Sequence, residues 1–187
     1  MQKAFYQKDL ELHTHLHLQL VDETLVTPKK YLPSWMPCFL PTPQLHPWSE
    51  MVRFTRSGGE ANAVAIRIAR AASGKDKIAI CGYHGWHDWY LAVNINNKDG
   101  LNSHLLPGLE AQGVPKDLGG TVFPFHYNNF SELEKTVNDN NIGVIKMEVV
   151  RNNGPEDNFL QKVRDLATQK GIVLIFDECT SGFRETN

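Results

Sequence analysis

Short apolar runs that alternate with amphipathic stretches constrain this chain more than any other feature. The runs are KIAIC (Lys77 to Cys81), TVFPF (Thr121 to Phe125), GVIKMEVV (Gly143 to Val150) and IVLIF (Ile172 to Phe176). Each has the length and composition of a strand. Between and before them lie helical patterns. EANAVAIRIARAAS (Glu60 to Ser73) carries Ala61, Val64, Ala65, Ile68, Ala69 and Ala72 at helical spacing, with Gly74 as its stop. SELEKTVNDN opens with a capping box, Ser131 and Glu134. NFLQKVRDLATQK has Asp157 or Asn158 as its cap and Gly171 after its end. Strands that alternate with helices need crossover connections, so the expected class is α/β, a mostly parallel sheet with flanking helices. Pro124 places its strand at an edge or a strand end. In such sheets ligands bind beyond the carboxyl ends of the strands.

The pattern does not reach the N-terminus. Six of the ten prolines fall from Pro28 to Pro47, in TPKKYLPSWMPCFLPTPQLHPW. Proline removes a backbone donor and fixes φ, so no regular helix or central strand fits there. The chain is therefore read in two parts: residues 1–46, Pro-rich and irregular, and residues 47–187. In the first part ELHTHLHLQL sets His13, His15 and His17 on one face of a short strand. Imidazoles so placed can converge on zinc; an exposed polar edge is the other reading, since no carboxylate or cysteine nearby completes a ligand set.

The 187 residues suffice for one domain with a real core. A net charge of −2 points away from nucleic acid or an acidic membrane as partner. No apolar run approaches the ~20 residues of a membrane helix, and MQKAFYQKDLELH lacks the apolar core of a signal peptide. Cys38, Cys81 and Cys179 have no metal-ligand spacing. They read as reduced thiols in a cytoplasmic protein.

Three loops carry the chemistry. In TRSGGEANAV, Ser57, Gly58 and Gly59 precede a helix. Glycines let the backbone approach an anion, and the helix N-terminus offers free N–H groups and a favourable dipole. An ordinary turn and cap explains the same residues. In CGYHGWHDWY, just after a strand, Tyr83, His84, Trp86, His87, Trp89 and Tyr90 crowd one loop. They could stack on a flat ring, bind a metal through His84 and His87, or bury themselves against the domain. In IVLIFDECTSGFR, Asp177 and Glu178 stand at a strand end. A phosphate cradle, an aromatic platform and a strand-end carboxylate suit pyridoxal 5′-phosphate, whose pyridine nitrogen needs an anion to hold it protonated. Strand alternation turns Asp177 toward the ring and Glu178 away.

From about Pro47 to Arg184 the chain resembles the class III pyridoxal-phosphate aminotransferases, especially the glutamate-1-semialdehyde 2,1-aminomutase-like branch. The resemblance rests on EMVRFTRSGGEANAVAIRIARAASGKDKI, GYHGWHD, MEVVRNNGPEDNFLQKVRDLATQKG and LIFDECTSGFR. It implies part of the large domain of a fold-type-I enzyme, normally a cytoplasmic homodimer. It also implies amino-group transfer on an amino acid or amino-aldehyde through Schiff bases. By the same resemblance Ser57, Gly58 and Gly59 match the phosphate loop, and Tyr83 the aromatic that stacks on the cofactor. His84 accompanies Tyr83, Glu148 matches the acid near the cofactor, and Asp177 matches the partner of the pyridine nitrogen.

The chain departs from the family's pattern in several places. Gly59 stands where the family has Ser or Thr, Val149 where it has Pro, and Cys179 where it has Val. The family's Schiff-base lysine lies some tens of residues beyond GFR, and this sequence ends at Asn187. The expectation is a chain truncated before that lysine, through an interrupted reading of a longer gene, and inactive alone. Its alternative role is a non-catalytic fragment that binds pyridoxal phosphate or only phosphate. Lys146 shares a strand face with Glu148 by period two and is the tempting substitute base. A surface or ion-paired lysine is the expected role, since the family has an apolar residue there.

Overall fold

The computed structural model describes residues 55–104, 107–150 and 152–181. The His13, His15 and His17 stretch, the Pro-rich segment and Arg184 lie outside the described residues.

Four strands form where the apolar runs predict them: β1 (Ile78–Cys81), β2 (Val122–Pro124), β3 (Val144–Glu148) and β4 (Val173–Asp177). All pair in parallel, in the order β2-β1-β3-β4. Pro124 falls on β2, an edge strand among the described residues, where a missing N–H costs no central ladder bond. Among the described residues five α-helices accompany the strands: α1 (Gly58–Ser73), the single turns α2 (Asp88–Leu91) and α3 (Val93–Asn96), α4 (Phe130–Asn140) and α5 (Phe159–Lys170).

Alternation along the strands sorts side chains into two cores. Ile78, Ile80, Val144 and Ile175 join Ala65, Ile66 and Ala69 of α1, with Trp89 and Tyr90. Ala79, Cys81, Ile145, Met147, Leu174 and Phe176 join Leu133 and Val137 of α4 and Phe159, Val163 and Leu166 of α5. Each fully buried aliphatic side chain contributes roughly 1.5–3 kcal/mol, so the two layers hold the sheet from both faces.

Local details differ from the sequence expectation in three places. α1 starts two residues earlier, at Gly58, and its buried face is Ala61, Asn62, Ala65, Ile66 and Ala69. Val64 and Ile68 are 40% and 42% exposed. The helix lies on the sheet through its small residues, which allow close approach, and Asn62 is held inside by a bond to the His84 carbonyl. α4 is capped by Asn129, whose side chain accepts from Glu132 N, so the Ser131–Glu134 box does not form. The helix begins at Phe130, before Ser131, so Asn129 caps an earlier orphan donor and Ser131, inside the first turn, donates to Asn129 Oδ1. Asn158 occupies the N-cap position of α5 in the left-handed region, without a side-chain capping bond. Gly74 and Gly171 end α1 and α5 as expected.

Candidate functional site

The carboxyl ends of β1, β3 and β4 bring the candidate residues to one edge of the sheet. After β1 the chain turns through Gly82 to His87. Gly82 and Gly85 have φ of 105° and 98°, a region that glycine enters freely. Both also face a neighbour. A Cβ on Gly82 would lie 2.9 Å from the Glu148 side chain, and one on Gly85 would lie 3.2 Å from Gly59 Cα. The turn therefore packs directly against the start of α1.

At that start Ser57 caps the helix: its side chain accepts from Glu60 N at 3.3 Å. The hydroxyl proton is not used in that bond. Gly58 and Gly59 are the first two helical residues, so their N–H groups have no carbonyl four residues back to bond. The space beside Gly59 belongs to His87, whose ring a Cβ would meet at 3.0 Å. His87 thus fills the region that the family's Ser or Thr side chain would enter.

His84 turns the other way. It is buried, with Nδ1 at 3.0 Å from Asp177 Oδ2 and Nε2 at 3.1 Å from the Cys81 carbonyl oxygen. The ring stacks on Trp89 at 6.4 Å and meets Tyr90 edge-on at 5.7 Å. Both oxygens accept, so protonation of both nitrogens would satisfy them. Burial opposes that form, as does the Lys146 ammonium, and the imidazole is pushed down to about 4 against the pull of Asp177. Since His84 points inward and His87 outward over Gly59, the two do not converge. Among the described residues no group of three or more His, Cys, Asp or Glu could hold a metal ion.

The aromatics of this loop divide. Trp89 and Tyr90 are buried, and Tyr90 Oη donates to the Gly82 carbonyl at 2.8 Å. Tyr83 is half-buried and meets the Tyr90 ring edge-on at 6.1 Å. Trp86 is 72% exposed.

Asp177, the last residue of β4, is 5% exposed. Its Oδ2 accepts from Lys146 Nζ at 3.1 Å as well as facing His84, and its Oδ1 accepts from Cys179 N at 3.1 Å. Burial alone would raise this carboxyl. Lys146 and then His84 outweigh it and hold Asp177 far below the usual carboxylate range. Lys146 is 0% exposed, so it is ion-paired and not a surface lysine. Burial pushes its ammonium down, and Asp177 first among its partners opposes that.

Glu148 stands level with Asp177 on the neighbouring strand and is buried. It lines a cleft of about 190 Å³ with Gly82, His104 and His126. His104 and His126 gave no sequence signal, because their loops carry no periodicity. His104 Nδ1 accepts from Gly82 N at 3.2 Å, and its ring stacks on His126 at 5.7 Å. The structure therefore brings Ser57, Gly58, Gly59, Tyr83, His84 and Asp177 into one contiguous run of contacts. Glu148 borders that run through Gly82.

Comparison with known proteins gives a consistent result. A family model for aminotransferase class-III matches residues 18–186. A 3-aminobutyryl-CoA aminotransferase from Cloacimonas acidaminovorans is 36% identical over 149 residues, 75% of this chain and 32% of that protein. A glutamate-1-semialdehyde 2,1-aminomutase from Methanococcus maripaludis (strain C6) is 38% identical over 146 residues, 74% of this chain and 33% of that protein. The chain spans about a third of the length of these relatives. Among solved structures, an omega-transaminase from Sphaerobacter thermophilus superposes with a TM-score of 0.54 at 27% identity, covering 68% of this chain and 31% of that one. A transaminase with PLP bound superposes with a TM-score of 0.53 at 29% identity, covering 68% and 30%. The parallel sheet and its flanking helices are thus part of the α/β fold of the fold-type-I transaminases. On its matched span, its relatives and its fold, the chain belongs to the class-III aminotransferases, enzymes that depend on pyridoxal phosphate.

Proposed function

We propose that this chain holds pyridoxal 5′-phosphate and forms part of the cofactor domain of an enzyme that moves an amino group on a small amino acid or amino-aldehyde. The enzyme would be an aminotransferase or a glutamate-1-semialdehyde 2,1-aminomutase-like enzyme. The observation that carries the reading is contiguity. The start of α1 packs on the turn after β1, and His84 of that turn meets Asp177.

The residues present fit the cofactor at two ends. The N–H groups of Gly58 and Gly59, with the Ser57 hydroxyl, suit a phosphate at a helix N-terminus. Asp177 Oδ1 takes one backbone N–H, so one of its in-plane lone pairs remains for a ring N–H⁺. Tyr83 lies in the turn that joins these ends and offers a stacking face. When bound, the cofactor supplies a protonated pyridine ring that takes up electrons as a bond of the amino substrate breaks. The protein's contribution is to keep Asp177 ionised and fixed, through Lys146 and His84. Lys146 bonds the carboxylate assigned to the ring nitrogen. With its Nζ held on that carboxylate, Lys146 is assigned to holding Asp177, and it would not serve as the lysine of a Schiff base.

Titration of the chain with pyridoxal 5′-phosphate, followed by tryptophan fluorescence, tests the reading. Asp177→Asn should weaken binding by about tenfold or more, since a bond to a charged group is worth roughly 1.5–3 kcal/mol. Equal affinity in a folded variant would count against it. For the whole enzyme, release of a keto product distinguishes an aminotransferase from an aminomutase, which keeps the amino group on one skeleton.

A further inference from the structure

The Lys146 ammonium is an element of this cluster that the family resemblance does not supply, and the cofactor reading uses it only to hold Asp177 ionised. It is fully buried, and its one hydrogen-bond acceptor among the described residues is Asp177 Oδ2, at 3.1 Å. Register explains the meeting. Lys146 is opposite Ile175 on β4, and the next residue on the same face is Asp177. The lysine side chain spans that single step along the sheet. Oδ2 also faces His84 Nδ1 at 3.0 Å, so both of its lone-pair positions are occupied. Oδ1 has Cys179 N and one position left.

We propose that Lys146 is a positioning residue for the cofactor's ring nitrogen: with His84 it occupies Asp177 Oδ2, leaving Oδ1 as the acceptor, and its charge offsets the field that the carboxylate presents to the ring. This rests on the cofactor reading given above. The charged and titratable groups acting on the lysine are Asp177 from β4, Glu148 from β3 and Cys179 beyond β4, with His84 meeting the same carboxylate from the turn after β1. Two of these, Asp177 and Glu148, are carboxylates, and Lys146 is the cation set among them. In a buried site two unit charges about 5 Å apart interact by several kcal/mol even at an effective dielectric near 20. A cation held behind Asp177 therefore lowers the affinity of the ring nitrogen for its proton. It restrains the electron sink while fixing the geometry of the acceptor.

The test uses the whole chain and pyridoxamine 5′-phosphate labelled with ¹⁵N in the ring. The ¹⁵N shift of the bound probe reports protonation of the ring nitrogen as pH is varied. In Lys146→Met and Lys146→Gln the nitrogen should hold its proton to higher pH than in the unaltered chain, by about one pH unit or more. Lys146→Arg, which keeps the charge, should titrate within a few tenths of a unit of the unaltered chain. Gln retains a donor for Oδ2, so it separates loss of charge from loss of a bond and remains informative if Met prevents folding. An unchanged midpoint in a folded neutral variant would overturn the role of Lys146 and leave the cofactor reading intact. No saturable binding of the probe to the unaltered chain would overturn both.

Discussion

At the scale of single residues, the site is a carboxylate with three partners, and its chemistry follows from who shares which oxygen. His84 is held at about 4 by burial and then by Lys146. Lys146→Met removes the second of these, so the His84 imidazole should titrate above about 4 by ring ¹⁵N NMR of the cofactor-free chain; no rise would mean that burial alone sets it. Because Lys146 is tied to Asp177 at 3.1 Å, borohydride reduction of the chain with pyridoxal phosphate should leave Lys146 unlabelled in a peptide map. A stoichiometric label there would reverse the orientation assigned to the cofactor. Asp177 was legible in the sequence because an apolar run ending in a carboxylate is a local signal. The partner of Lys146 was not, since period two relates residues 146 and 148 on one strand but says nothing of the register to the next. His87 at Gly59 was equally hidden, because the contact joins a loop to a helix 28 positions earlier, 87 less 59.

At the scale of elements, the strands, the stops after α1 and α5 and the start of α5 after Asn158 could be read directly, whereas the starts of α1 and α4 could not. Several residues near each start are able caps, and only the path of the incoming chain chooses among them. α4 shows this: Asn129 takes the capping role for which Ser131, two residues on, is equally suited by residue type. Asn129→Ala should cost about 1 kcal/mol in chemical denaturation, and Ser131→Ala less than about 0.5 kcal/mol. Equal costs would mean the cap is shared. The full buried face of α1 was not legible for a different reason. Its periodicity fits two overlapping stripes, and the packing favours the one with Ala61, Ala65 and Ala69 at its centre, leaving Val64 and Ile68 outward. Asn62 could not be recognised as inward-facing, because its acceptor lies on the turn after β1.

At the scale of the whole molecule, the layered α/β architecture was legible from the alternation of runs, although the strand order was not, since a crossover of given length can place its strand on either side. The two buried imidazoles give the molecule a common response to acid. His84 and His104 are each lowered from an ordinary 6.5 to about 4, His84 by burial and Lys146, His104 by burial and His126. A group whose folded pKa is depressed binds protons more readily when unfolded. Its contribution is fully present above 6.5 and is lost as pH falls toward about 4. Denaturation midpoints should therefore fall steadily across that window. His104→Gln should flatten part of the fall, and a wild-type slope in that variant would remove His104 from the account. Below this range Asp177 continues the loss, because the unfolded chain takes up a proton there that the carboxylate paired with Lys146 does not.

The near-touch of Gly85 on Gly59 has one more consequence. Backbone meets backbone there, so the turn that carries Tyr83 and His84 is seated directly on the helix start that carries Gly58 and Gly59. On the cofactor reading proposed above, that seating acts as a ruler, with the residues assigned to the phosphate and the acid assigned to the ring nitrogen as its two marks. A methyl group at residue 85 would act as a wedge between its two marks, selecting against any ligand whose phosphate and ring nitrogen are set at the original span.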